Sequence, residues 1–184
     1  MSTLATAERP AAATEEHPSA ERSHTIQVTQ IVGFRLANEE YGLDIMRVQE
    51  IILIGAITEV PRVPDYVRGL INLRGQVIPI VDLRRRFSLP DTDQTEEQRI
   101  IVVNVHEKMI GILVDSVNQV TRVTADQIDP PPTSISGIDH EFITGLVKFD
   151  EHLVILLDIE RLLTHAEGEA LAELTEKQSA PLTA

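Results

Sequence analysis

Three groups of residues in this chain are of types that can do chemistry: six histidines, the aspartates Asp82 and Asp158, and Arg74, which interrupts the apolar run "GLINLRGQVIPIVDLRRRF". The histidines (His17, His24, His106, His140, His152 and His165) are scattered, with no pair at metal-ligand spacing and no HExxH. Asp139-His140-Glu141 is a local polar cluster, but three adjacent side chains cannot converge on one ligand, so it reads as loop surface. There is no cysteine, which excludes disulfides, thiolate metal sites and a cysteine nucleophile. GxSxG, P-loop and GxGxxG motifs are missing as well. Asp82 and Asp158 each close an apolar run, where an acid accepts backbone N–H groups at a turn or caps a short helix. The expectation is a protein without catalytic, metal or cofactor sites, one that works by binding.

The candidate contact residues are those with no evident structural duty: Arg74, the strip Arg84–Arg86, and "VQEI" from Val48 to Ile51. Arginine suits contact work because its five donors grip carboxylates and backbone carbonyls. The strip Arg84–Arg86 is expected to be surface charge, each residue worth under about 1 kcal/mol. Arg74 is expected to be functional.

The elements that must carry these residues are built from aliphatics, since 42% of the chain is hydrophobic and only 3% aromatic. β-Branched side chains in that proportion favour strands. Residues 1–24 are rich in Ala, Thr, Glu and Pro without periodicity and are expected to be a disordered tail. From Ile26 an alternating pattern predicts a strand with one buried face, then a turn at "ANEE" and a returning strand at "YGLDI". Residues 31–51 align without a gap on residues 100–120, matching Ile31 with Ile100, Gly42 with Gly111 and Val48 with Val117. Residues 69–87 align on residues 145–163, where Gly69/Gly145, Leu70/Leu146, Asp82/Asp158 and Arg85/Arg161 are identical. The change of offset implies seven extra residues in the second copy, in or near "DPPPTSISGIDHE".

Two pseudo-repeats, about 26–90 and 99–165, predict two packed β modules of about five strands each, closed as barrels so that no long edge is left open. Arg74-Gly75 then falls on a strand-to-strand turn, with Gly75 free to take positive φ and Arg74 exposed at the tip. Residues 166–184 are expected to form a short C-terminal helix and a frayed tail.

The net charge of −13 argues against a nucleic-acid partner. Residues 62–86 run the other way, with six arginines against Asp65 and Asp82, and a basic strip on an acidic protein suggests a protein partner. With neither a signal-peptide pattern nor a membrane-length apolar segment, a soluble cytoplasmic protein without direct membrane insertion is expected.

From about Thr25 to Leu163 the chain resembles the CheW family of chemotaxis coupling proteins. The matching segments are "EEYGLDIMRVQEI", "GLINLRGQVIPIVDLRRRF", "GILVDSVNQV", "ITGL" and, more loosely, "LTHAEGEAL". The resemblance implies two intertwined five-stranded SH3-like barrels over residues 25–165. It also implies a non-catalytic adaptor that joins the cytoplasmic tips of methyl-accepting chemotaxis receptors to the regulatory domain of a CheA-type histidine kinase. Carried over by motif, Val48, Glu50, Gly69, Asn72 and Arg74 would form the receptor-binding groove; kinase contacts are not assigned. The alternative within this family is a coupler of another chemosensory-type pathway, such as twitching motility. Two further readings are a regulatory fragment of a kinase with this fold, which the chain's lack of ATP-binding motifs opposes, and an enzyme using Asp82 or Asp158.

Overall fold

The structure, a computed structural model, describes residues 28–131, 141–149 and 151–179. The expected N-terminal tail and most of the expected insertion, with Asp139 and His140, lie outside these residues.

The first copy supplies β1 (Val28–Leu36), β2 (Glu39–Asp44), β3 (Val48–Leu53), β4 (Val67–Leu73), β5 (Gln76–Asp82) and the short helix α1 (Leu83–Arg86). The second supplies β6 (Arg99–Val105), β7 (Lys108–Val114), β8 (Ser116–Thr124), the two-residue β9 (Ile128–Asp129), β10 (Ile143–Phe149), β11 (His152–Leu157) and α2 (Ile159–Leu162). Helix α3 (His165–Ser179) follows. The strands form a six-stranded sheet in the order β8-β1-β2-β11-β10-β9 and a five-stranded sheet in the order β3-β6-β7-β5-β4. Neither sheet belongs to one copy. The first two strands of each copy pair with the later strands of the other, and the exchange is sealed by two parallel contacts, β2 with β11 and β5 with β7. This is the intertwined double barrel that the family resemblance implies, with β9 as a small sixth strand in one of the two.

The matched glycines mark those seals. Gly42 pairs with Leu156 across the first parallel contact and Gly111 with Ile80 across the second. A Cβ on Gly42 would meet Ile31 Cδ1 at 3.1 Å, and one on Gly111 would meet Ile100 Cγ2 at 2.8 Å. Ile31 and Ile100 are themselves repeat partners. In each copy, therefore, an isoleucine of the first strand fills the space its glycine leaves, which lets strands from different copies approach.

Packing forms three apolar clusters. Ile31, Val123, Val147, Val154 and Leu156 fill one barrel, and Ile71, Ile78, Ile80, Ile100, Val102 and Leu113 fill the other. Between them a shared core holds Phe34, Leu36, Leu43, Val103, Val105 and Ile112, among others. The expected single buried face of β1 is thus corrected: Ile31 points into its barrel while Phe34 and Leu36 enter the shared core, and a register shift between Val32 and Phe34 accommodates both. Ile100–Val103 of β6 is buried on both faces for the same reason.

Each copy ends alike. Asp82 Oδ1 accepts from Arg84 N at 2.9 Å at the start of α1, and Asp158 Oδ1 accepts from Glu160 N at 2.9 Å at the start of α2. The two aspartates are helix caps, as their positions predict. The reading of Arg84–Arg86 as loose surface charge is overturned for Arg84 and Arg86, while Arg85 keeps an exposed ion pair. Arg84 grips both oxygens of Asp115 at 2.6 and 2.7 Å, Arg85 bonds Asp91, and Arg86 bonds Glu167 through both terminal nitrogens. An arginine run reads as solvated in sequence because its partners come from other elements.

A candidate partner-binding site at the β4–β5 turn

Leu73 pairs with Gln76, so Arg74 and Gly75 are the two central residues of a two-residue hairpin turn. Both take positive φ, 54° and 89°, the geometry of a type I′ turn. Glycine adopts that conformation freely, whereas an L-residue other than Asn or Asp is strained by about 1 kcal/mol or more. The expectation gave positive φ to Gly75 alone; the twist of the hairpin demands it of both. Asn72 Oδ1 accepts from Gly75 N at 2.8 Å and locks the turn. The Arg74 side chain stands 79% exposed, with Nη2 2.9 Å from Glu50 Oε2.

Glu50 comes from β3, which carries two different faces. Glu50 and Ile52 are half-buried, and Ile52 packs on the core of the second barrel; Gln49, Ile51 and Leu53 face outward. Val48 packs on the shared core, and a register shift against β6 separates it from Glu50. Just before β3, Asp44 Oδ1 accepts from Met46 N at 2.9 Å to cap a single 3-10 turn, leaving the Met46 side chain 81% exposed. Leu53 is 69% exposed and Ile51 40%.

Of the five expected site residues, the fold brings Glu50, Asn72 and Arg74 into one hydrogen-bonded patch. Val48 borders it from the shared core. Gly69 stands apart in role: it is buried at a register shift between β4 and β5 with φ 143°, and a Cβ there would collide with the Thr58 carbonyl oxygen. Thr58 and Leu70 exchange backbone hydrogen bonds at 2.8 Å across this close approach. Sequence reasoning passed over Met46 and Leu53; for Leu53 the run "VQEIIL" carried the signal, because three consecutive apolar residues in a strand cannot all face one core.

Chemically the patch can bind but has no set of groups for bond making. It presents one cation, one carboxylate and a turn of exposed backbone, with apolar side chains on the adjoining strand. Among the described residues no group of three or more His, Cys, Asp or Glu could hold a metal ion. No helix among them is long and apolar enough to cross a membrane.

Comparisons with known proteins bear on the family and the fold. The family model of the CheW-like domain matches residues 30–167. The chemotaxis protein CheW of Klebsiella aerogenes is 42% identical over 134 residues, covering 73% of this chain and 81% of that protein. The chemotaxis protein CheW of Treponema pallidum is 36% identical over 149 residues, covering 79% and 88%. The crystal structure of the scaffolding protein TtCheW from Thermoanaerobacter tengcongensis superposes with a TM-score of 0.71 at 35% identity, covering 77% of this chain and 97% of that one. The fold of this chain is thus that of a solved CheW scaffold, and the chain belongs to the CheW-like domain family.

Proposed function

We propose that this protein is a non-catalytic adaptor that couples the cytoplasmic tips of methyl-accepting chemotaxis receptors to the regulatory domain of a CheA-type histidine kinase. It acts in the cytoplasm and is recruited to the receptor array without entering the membrane. The observation that carries the reading is the Arg74 turn. A strained, exposed arginine is held in place by Glu50 from another strand, while Asn72 fixes the backbone beneath it. Turn chemistry alone would put Asn or Gly at this position, so the guanidinium serves something outside the fold.

Val48, Glu50, Asn72 and Arg74 form the receptor-facing surface in this reading, and Gly69 supports it by keeping β4 and β5 in register. Ile51 and Leu53, on the opposite face of β3, offer an apolar surface to a protein neighbour, so one strand can serve two partners. Co-sedimentation with receptor-containing membranes tests the receptor half. Wild-type protein is expected to pellet with the membranes and Arg74→Glu to stay in the supernatant; equal recovery of both would remove Arg74 from the surface.

A further inference from the structure

Outside the patch, the densest polar construction among the described residues is the carboxylate of Glu167, in the first turn of α3. Its Oε1 accepts from the Tyr66 hydroxyl at 2.8 Å and from Arg86 Nη1 at 3.0 Å. Its Oε2 accepts from Arg86 Nη2 at 3.2 Å, Thr164 N at 2.8 Å and Thr164 Oγ1 at 3.0 Å. Five donors on one carboxylate exceed what starting a helix requires, since the Thr164–Glu167 capping box alone does that. The Arg86 guanidinium is fixed in turn: Nε donates to the Leu162 carbonyl at 3.1 Å, and the group lies over the Tyr66 ring at 4.7 Å. Tyr66 and Arg86 belong to the first copy, whereas Leu162, Thr164 and Glu167 follow the last strand of the second. The clamp therefore spans the joint between copies.

The clamp holds a helix with little apolar grip of its own. Leu171 is buried and Leu174 half-buried in the shared core. The helix packs beside β5, and a groove of about 330 Å³ between them is lined by Leu171, Thr175 and Glu176 and by Gln76, Val77 and Pro79. Gln76 is the residue that follows Arg74-Gly75, so the strand flanked by α3 is the strand that ends in the binding turn.

We infer that α3, clamped at Glu167, is a splint that sets the position of the Arg74 turn, and that Glu167 is a positioning residue for receptor binding. This rests on the receptor reading of that turn. A helix that merely capped the core would behave differently. Loosening it would lower stability, while the affinity of the folded protein for a receptor would stay the same.

The test uses the full chain and the variant Glu167→Gln, which can keep the capping box but loses the charged, two-pronged grip on Arg86. Hydrogen exchange is followed at Leu171, at Gln76–Ile78 and, as reference, at Phe34–Leu43. Binding to a receptor cytoplasmic fragment and to the kinase regulatory domain is measured in parallel. The splint predicts faster exchange at both Leu171 and Gln76–Ile78 with the reference unchanged. It also predicts receptor-fragment affinity reduced about fivefold or more and kinase-domain affinity preserved. Faster exchange confined to α3, no change anywhere, or unaltered receptor affinity would overturn it. Arg86→Lys, which keeps the charge but not the fork, must show the same pattern in weaker form, and wild-type behaviour there would also overturn it. Failure of the wild-type protein to bind the fragment would overturn the receptor reading and leave exchange at Gln76–Ile78 to decide the splint.

Discussion

Arg74 Nη2 donates to Glu50 Oε2 at 2.9 Å, so the exposed cation at the tip of the β4–β5 turn is tethered to β3. An exposed pair of this kind contributes at most about 1 kcal/mol to folding. In the proposed receptor reading, the pair holds a long, rotamer-rich side chain near one orientation, which reduces the ordering a partner must otherwise impose.

Replacing Arg74 by Asn should separate stability from function. Asn tolerates positive φ better than Arg, so Arg74→Asn is expected to raise unfolding free energy by about 0.5–1 kcal/mol in urea titrations. The same variant should bind receptor fragment more weakly. A destabilised Arg74→Asn protein would contradict the strained-turn account.

The glycines are expected to rank by what surrounds them. Gly69→Ala puts a methyl group into the Thr58 carbonyl at positive φ and should prevent stable folding. Gly111→Ala meets the side chains of Ile80 and Ile100 and should destabilise by about 2 kcal/mol. Gly75→Ala has open space but φ 89°, for about 1 kcal/mol. Chemical denaturation of the three checks the order. Lost receptor binding in a Gly69 variant would report a broken register and not a missing contact.

Arg84 and Asp115 lie on different copies, and their side chains are 17% and 18% exposed. The Asp115 carboxylate, burial opposing, holds the guanidinium charge firmly, with the Arg84 pKa raised above its usual value. Asp115 Oδ2 also accepts from Ala37 N at 2.7 Å. Arg84→Lys cannot reproduce the fork and should lower stability by about 1 kcal/mol; Asp115→Ala should lower it by about 2 kcal/mol. Equal stability of all three proteins in thermal melts would contradict the pairing.

The clamp at Glu167 makes stability depend on pH at both ends. Burial works to raise the Glu167 carboxyl, but hydrogen bonds from Thr164 and Tyr66 and the charge of Arg86 outweigh it and hold the pKa below the ordinary value. Its stabilisation is complete above the unfolded-state pKa of about 4.3 and is lost as pH falls through the lower folded value. Tyr66 is pushed up to about 12 by burial and by its bond to Glu167, so its contribution is complete below about 10 and is lost as pH rises from about 10 to about 12. Urea midpoints against pH should fall in both windows. In Glu167→Gln the acid-side fall should shrink, and an unchanged acid limb would contradict the assignment.

How much of this was legible in sequence depended on locality. The duplication showed because Gly42/Gly111 and Gly69/Gly145 meet the same steric demands twice, and the capping aspartates showed because a cap acts within three residues. The exchange of strands between sheets did not: pairing Gly42 with Leu156 leaves no periodic trace. Nor did the partners of Arg84 and Arg86, which are 31 and 81 residues away. At the site, Arg74 stood out as a polar residue in an apolar run, and Glu50 as part of "VQEI", a run with no evident structural duty. The role of Gly69 could not be read from spacing, because a bulge is a property of two strands together.

The central claim is tested most directly by kinase autophosphorylation with cognate receptor membranes and purified CheA-type kinase, with and without this protein. The account predicts a large rise on adding wild-type protein, abolished by Arg74→Glu in a protein that melts like wild type. No rise with well-folded wild-type protein, or a full rise with Arg74→Glu, would contradict it.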